Sequence, residues 1–425
     1  MNILILGTGA REHVFAWKIS QSPLCTKLYI ASGNAGTAQC GINININPTD
    51  FESIAVFCIE KKIDLVLPGN EDPLVLGITD FLEKKIPGIM VAGPSKKGSQ
   101  LEGSKDFAKE FMLRHNIPTA RFSTFTKSTL SQAHQFLETL SAPYVLKADG
   151  LAAGKGVLIC ANLEDAKKNL NEMLENSKFG KASEKVVIEE YLTGIELSCF
   201  VLTDGKNYLI LPEAKDYKRI GEADTGLNTG GMGAVSPVPF ASKDFLYKVE
   251  QNIIKPTIAG IRKDKLHYKG FIFFGLINYM GEPYVIEYNA RMGDPETEVV
   301  IPRIENDLLE LLVAACTKTL NKHQIKIKRE FATTVFTVSG GYPEEYKKGM
   351  EISGLEFIKD CIPFHAGTQE SAGKIVTSGG RVIALTALDN NMMDALLKSY
   401  KAAHTVTFKD KYYRTDIGKD LLDYL

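Results

Sequence analysis

Glu287 and Asn289 stand two residues apart at the end of an apolar run, Tyr284-Val285-Ile286. On a β-strand that spacing puts both side chains on one face. A carboxylate beside an amide offers hard oxygen donors of the kind that Mg²⁺ accepts next to nucleotide phosphates. Arg291, two residues further on, adds a planar fork for a carboxylate or a phosphate. The stretch also reads as a polar sheet face followed by a helix start, because Asp294-Pro295 is ordinary capping sequence.

Other segments bear on that choice. In Lys147-Ala-Asp-Gly150-Leu-Ala-Ala-Gly154-Lys155-Gly156-Val157 a lysine ends one strand and a second lysine sits inside a glycine loop. Glycines let backbone N–H groups approach phosphate oxygens, and lysine supplies a compact positive charge. The spacing is not that of a Walker A loop, and a strand follows rather than a helix. The loop is either a phosphate cover or a plain hairpin. Val186–Glu196 is a strand that ends in acids and could edge an adenine and its ribose. Residues 212–239 form a long Gly- and Pro-rich loop holding Asp216, Lys218 and the run Thr225-Gly-Leu-Asn228-Thr-Gly230-Gly231-Met-Gly233. A structureless loop of that length in a compact domain is usually functional. Gly7-x-Gly9 follows a first strand, but Glu12 takes the third glycine position and Ala31-Ser32 ends the second strand without an acid. A nicotinamide dinucleotide is therefore not expected, although the turn could hold another anion with Arg11 and His13.

Elements must position these groups. Residues 1–100 alternate short apolar strands (2–6, 27–31, 63–67, 89–92) with helical patterns (11–20, 50–61, 72–84), which predicts a parallel sheet covered on both faces. A helix is expected near 103–115. A small α+β segment at about 120–190 carries strands 144–148, 157–160 and 185–190 and a helix at 163–175. Longer strands are expected at 195–202, 207–211, 269–279 and 283–290, with helices near 242–260 and 306–316. Residues 331–425 read as a β-rich unit with a helix at 390–403. The 425 residues suffice for two to four domains. A net charge of −1 argues against bulk electrostatic binding of nucleic acid. No signal peptide or membrane-spanning run is apparent. Seven scattered cysteines with no CxxC suggest reduced thiols and a cytoplasmic location.

Taken together the segments resemble the ATP-grasp superfamily and, within it, the phosphoribosylamine–glycine ligase family. The resemblance runs through Gly7-x-Gly9-x-Arg11-Glu12-His13, Gly33-Asn34-Ala-Gly36-Thr37, Leu101-Glu102-Gly103-Ser-Lys105, the Lys147–Val157 loop, Asp224–Gly233, Arg291 with Gly293–Glu296, His365–Thr368 and Gly379–Val382. It covers essentially the whole chain. Asn70, Asp72, Leu227 and Met292 depart from the family pattern.

The resemblance implies a multidomain α/β and α+β fold. Its parts would be a Rossmann-like N-terminal domain (1–102), a two-part ATP-grasp domain (103–325, with a mobile subdomain at about 120–190) and a small β-rich C-terminal domain (326–425). It implies a ligase of purine biosynthesis that uses ATP and Mg²⁺ or Mn²⁺ to join glycine to 5-phosphoribosylamine. A cytoplasmic monomer acting on small molecules is expected, without nucleic acid or membrane partners. Glu287 and Asn289 would hold the metal. Lys105, Lys147, Gly154, Lys155 and Gly156 would meet the phosphates. Glu189, Glu190 and Leu192 would edge the adenine, with Glu196 on the ribose. Asp216, Lys218, Thr225, Gly226, Asn228, Gly230 and Gly231 would line the glycine site. Gly9, Arg11, Glu12, His13, Asn34, Gly36, Glu71, Asp294, Lys374 and Arg381 would bind phosphoribosylamine. Arg291 would take the glycine carboxylate or the transferred phosphoryl group.

Overall fold

The structure is a computed structural model that describes residues 1–151, 156–176 and 178–425. The first five strands are Asn2–Gly7, Lys27–Ser32, Ile42–Ile44, Leu65–Pro68 and Met90–Val91. All pair in parallel, with Asn2–Gly7 at the centre between Lys27–Ser32 and Leu65–Pro68. The period-two alternation of the first strand divides the interior. Ile3 and Ile5 face one apolar cluster, and Leu4 and Leu6 face the other. A sheet buried on both faces needs such a continuous apolar run. The helix expected over 72–84 is broken at Gly77, whose φ of +99° ends Glu71–Leu76 before Ile78–Lys85 begins.

An eight-stranded sheet forms the body. Its order is Glu282–Asn289, Gly270–Tyr279, Ile195–Thr203, Tyr208–Asp216, Gly233–Ser236, Phe331–Val338, Arg381–Asp389 and Ile362–His365. The predicted long loop at 212–239 is therefore only partly a loop. The strand before it runs on to Asp216, a short hairpin pairs Arg219–Gly221 with Thr225–Asn228, and Gly233–Ser236 pairs on both sides within the sheet. Small residues hid this strand from a propensity reading.

A four-stranded antiparallel sheet sits over one end of the body, in the order Phe122–Thr126, Lys185–Glu190, Tyr144–Ala148, Val157–Cys160. Helices Leu130–Glu138 and Leu163–Asn176 pack on it around Leu137, Leu146, Leu170 and Ile188. Apolar periodicity does not reveal the strand at 122–126, where Ser123 and Thr124 separate the two phenylalanines, or the helix at 130–138, where Ser131, Gln132, His134 and Gln135 dilute the apolar face. Thr119 links this cover to the body. Its hydroxyl donates to the Val285 carbonyl at 2.7 Å. All seven cysteines are free thiols. Among the described residues no helix is long and apolar enough to cross a membrane.

Candidate active site

The strand Glu282–Asn289 carries the first two predicted ligands. A bulge at Ile286 shifts its register, so Val285 pairs with Leu276 and Glu287 with Gly275. Bulges re-aim side chains in this way. Glycine opposite Glu287 leaves its side chain room, since a Cβ on Gly275 would lie 3.0 Å from Glu287 Cγ. Glu287, Glu196, Asp216 and Lys218 line one small recess with Ser198. Glu196 pairs with Lys218 at 2.9 Å. Asp216, then Glu196 and Glu287, raise the Lys218 ammonium well above its ordinary range against burial.

Lys105 begins the helix Lys105–Arg114, which Ser104 caps by accepting from Phe107 N. Its ammonium donates to the Gly150 carbonyl at 3.1 Å and is pushed down by burial, which Glu287 opposes. Lys147, on the cover strand Tyr144–Ala148, reaches the body with Nζ 3.4 Å from the Ile286 carbonyl. The structure thus gathers Lys105, Lys147 and Glu287 at one place. The Glu189 carboxylate is buried between Lys109 and Lys147, which leaves the backbone groups of this strand end for the adenine edge expected there. Glu190 accepts from Arg121 N at 2.7 Å, and Leu192 is half-buried in the connection back to the body. Gly156 is buried, and its carbonyl accepts from Ala148 N. Gly154 and Lys155 lie outside the described residues.

Past Asn289 a second group begins. Arg291 pairs with Glu71 at 3.1 Å and with Glu102 at 2.9 Å. Arg291 and Arg11 both donate to the Met292 carbonyl, at 3.2 and 3.1 Å. Asp294 pairs with Arg381 at 2.9 Å, and Arg381 also donates to the carbonyls of Gly230 and Asp294 at 2.6 and 2.8 Å. Two groups therefore lie side by side, one of Arg11, Arg291, Glu71 and Glu102 and one of Asp294 and Arg381, with the Asp294 charge acting on Arg11. Arg381 also stacks over Phe336 at 4.7 Å. Gly230 and Gly231 are required where the loop meets it. A Cβ would lie 2.8 Å from Arg381 Cζ at the first and 2.3 Å from Pro295 Cδ at the second. Burial would raise the Glu71 carboxyl, but Arg291 and Arg11 hold it at about 2. The Asp72 carboxyl beside it is raised by burial and by Glu71.

Several predicted residues also take part in the frame. Glu12 accepts from Gly9 N at 2.6 Å and pairs with Arg11 at 2.7 Å. A Cβ on Gly7 or Gly69 would lie 2.5 or 2.2 Å from its side chain. These glycines make room for a buried glutamate rather than for a dinucleotide. His13 Nδ1 accepts from His365 N at 2.8 Å, and Asn34 Nδ2 donates to the His365 carbonyl at 2.7 Å. Gly36 lets the His13 ring approach, since a Cβ there would lie 2.2 Å from it. His13, Asn34 and Gly36 thereby join the first sheet to the C-terminal strands. Lys374 pairs with Glu351 on an exposed two-stranded hairpin and shares no partner with Arg381. Thr225, Gly226 and Asn228 lie on the exposed short hairpin.

Family models for the N, ATP-grasp (A) and C domains of phosphoribosylglycinamide synthetase match residues 1–102, 103–297 and 332–420. The chain belongs to the phosphoribosylglycinamide synthetase family. It is 43% identical over 422 residues to the phosphoribosylamine–glycine ligase of Pasteurella multocida, covering 98% of this chain and 97% of that one. It is 46% identical to a bifunctional purine biosynthetic protein of Pichia angusta, of which it spans 53%. The crystal structure of phosphoribosylamine–glycine ligase from Thermotoga maritima superposes with a TM-score of 0.86 at 33% identity, covering 98% of this chain and 100% of that one. As a member of this family the chain is an ATP-dependent ligase that requires a divalent metal ion.

The residues present fit such an ion. The Asn289 amide suits its neighbours only with Nδ2 toward Glu102 Oε1 (3.0 Å) and the Tyr288 carbonyl (3.3 Å). Its Oδ1 then remains as a donor on the face that Glu287 shares. Among the described residues no group of three or more His, Cys, Asp or Glu gathers as a metal site. Two oxygen donors suit an ion that completes its shell with nucleotide phosphates and water. Glu102 was the residue that sequence reasoning left without a role. Its carboxylate grips Asn289, Ala290 N (2.7 Å) and Arg291, three successive residues. Its signal in the sequence was its place three residues before Lys105, in the Leu101–Lys105 run of family resemblance.

Proposed function

We propose that this site joins glycine to 5-phosphoribosylamine, giving glycinamide ribonucleotide, ADP and phosphate. The observation that carries the reading is the strand end 287–291. It has phosphate-type lysines on one side, an arginine–carboxylate network on the other, and Glu102 holding the two together.

A carboxylate must be activated before an amine displaces one of its oxygens. A glycine carboxylate oxygen attacks the γ-phosphorus of ATP, the bond to the ADP oxygen breaks, and glycyl phosphate forms. The phosphoribosylamine nitrogen then attacks the glycyl carbonyl, loses a proton, and phosphate leaves. The protein contributes position and charge rather than a nucleophile. Glycine is a zwitterion, and Asp216 beside Lys218 offers an acid for its ammonium and a base for its carboxylate. Arg291 faces the carboxylate as it becomes a phosphoryl acceptor. Lys105 and Lys147 neutralise the phosphates, with Gly154, Lys155 and Gly156 closing over them. Glu189, Glu190 and Leu192 edge the adenine, and Glu196 takes the ribose. Gly9, Arg11, Glu71, Asp294 and Arg381 surround phosphoribosylamine, on a frame kept by Glu12, His13, Asn34 and Gly36. Glu287 and Asn289 would hold Mg²⁺, which would supply positive charge against the phosphates. We further propose three working units, 1–102, 103–325 and 326–425, with the cover at 120–190 moving over ATP in a cytoplasmic monomer.

The test is ADP formation with glycine and phosphoribosylamine omitted in turn. Turnover should need both. ADP release that proceeds without glycine, or that needs bicarbonate or formate, would overturn the reading.

A further inference from the structure

Within the loop between Lys218 and Gly231, the turn at 219–224 is fastened to residues nearly two hundred positions away. Arg414 is buried, and all three guanidinium nitrogens are engaged. Nε and NH2 meet Asp416 at 2.8 and 2.7 Å, and NH1 meets Asp224 Oδ1 at 2.7 Å and the Arg219 carbonyl at 3.1 Å. Asp416 Oδ2 accepts from Ala223 N at 2.7 Å. Tyr412 OH donates to the Ile220 carbonyl at 3.0 Å, and the Thr415 hydroxyl donates to Glu222. Ala223 and Asp224 both have φ of +52°, a left-handed conformation that non-glycine residues hold only when their surroundings impose it.

The same tail reaches the start of the loop. Tyr217 donates its hydroxyl to Asp420 and lies 5.4 Å under Arg414. Tyr217 stands between Asp216 and Lys218. The Lys218 carbonyl in turn accepts from Thr229 N at 2.8 Å and from the Thr229 hydroxyl at 2.7 Å. Fixing the turn at 219–224 therefore fixes the backbone from which both charged side chains project.

We propose that Arg414, with the segment 412–416, is a positioning residue for the amino-acid site. It holds the 219–231 loop in the conformation that sets Asp216 and Lys218 for glycine. The inference rests on the glycine reading given above. It predicts that the C-terminal tail governs amino-acid affinity while leaving nucleotide affinity alone.

The test uses the full chain with Arg414→Lys, which keeps the charge and loses the fork, and Asp224→Asn on the exposed side of the same pair. Each should raise the KM for glycine by about fivefold or more, the scale of one lost charge-assisted hydrogen bond, with the KM for ATP unchanged. The double variant should be no worse than the poorer single one. Amide hydrogen exchange across 219–231 should quicken in both. A folded variant with unchanged glycine KM and unchanged exchange overturns the proposal, as does an equal rise in the KM for ATP. If Arg414→Lys does not fold, Asp224→Asn decides alone. If the unaltered protein forms no glycine-dependent ADP, the glycine reading fails, whereas quickened exchange still reports that the clamp exists.

Discussion

Lys147 Nζ lies 2.9 Å from Glu189 Oε1, across two adjacent strands of the cover, and Lys109 lies 2.8 Å from the other oxygen. The lysine suited to ATP phosphates is thus paired with a buried carboxylate. Its contact is an ion pair that lacks hydrogen-bond alignment, since Oε1 has no hydrogen-bond donor. Burial alone would raise the Glu189 carboxyl, yet Lys147 and Lys109 hold it below the usual range. Glu189→Gln leaves two ammonium groups buried without a counter-charge. It should cost about 3–5 kcal/mol of stability, the scale for breaking a buried pair from one side. Urea denaturation followed by circular dichroism measures this, and a shift below about 1 kcal/mol would show that water reaches the pair.

Glu102→Gln keeps an acceptor for Ala290 N but removes the charge that holds Arg291. The Asn289 amide then loses its fixed orientation. The divalent-ion concentration for half-maximal turnover should rise about tenfold, as for other residues that orient metal ligands. Mn²⁺ binding followed by electron paramagnetic resonance in the presence of ADP checks the same change without turnover. Unchanged metal dependence would separate Glu102 from the ion.

Burial lowers His13 from 6.5 to about 3, with His365 adding repulsion, and lowers His365 to about 4. Both are neutral in the fold. The unfolded chain takes up protons below 6.5 and the folded chain does not, so their contribution is complete above pH 6.5. It is lost as pH falls toward 4 and then 3. The slope is at most about 1.4 kcal/mol per pH unit for each histidine. Urea midpoints at pH 7 and pH 5 should differ, and His13→Gln should reduce the difference. An equal slope in that variant would place the titrating groups elsewhere.

Gly69→Ala puts a methyl group 2.2 Å from Glu12 Oε1. Overpacking of this kind costs about 1–3 kcal/mol. The loss should shrink in a Glu12→Ser background, where the side chain no longer reaches the cradle. Equal losses in both backgrounds would mean that the cradle relaxes by moving its backbone.

Much of the site could be read before the fold. The alternation at 284–289 put Glu287 and Asn289 on one face, and apolar runs placed the parallel sheet. What escaped were partners distant in sequence. Glu102 meets Ala290 across 188 positions, and Asn34 meets the His365 carbonyl across 331. No local pattern encodes such pairs. Gly7-x-Gly9 suggested anion binding because glycine signals close approach without naming what approaches. Here the neighbour is Glu12. Gly233–Ser236 was hidden because its place in the sheet comes from flanking strands rather than from its own residues.

That four-residue strand has a consequence for how the chain can be cut. It is the splice by which Tyr208–Asp216 and Phe331–Val338 become parts of one sheet. A fragment ending before Phe331 would leave Gly233–Ser236 as a raw edge, and the complementary fragment would begin with another. Unpaired edges invite association with other chains. Although a family model matches 332–420 on its own, the last stretch is not a cassette that can be lifted out. Residues 331–425 are woven into the shared sheet rather than appended to it.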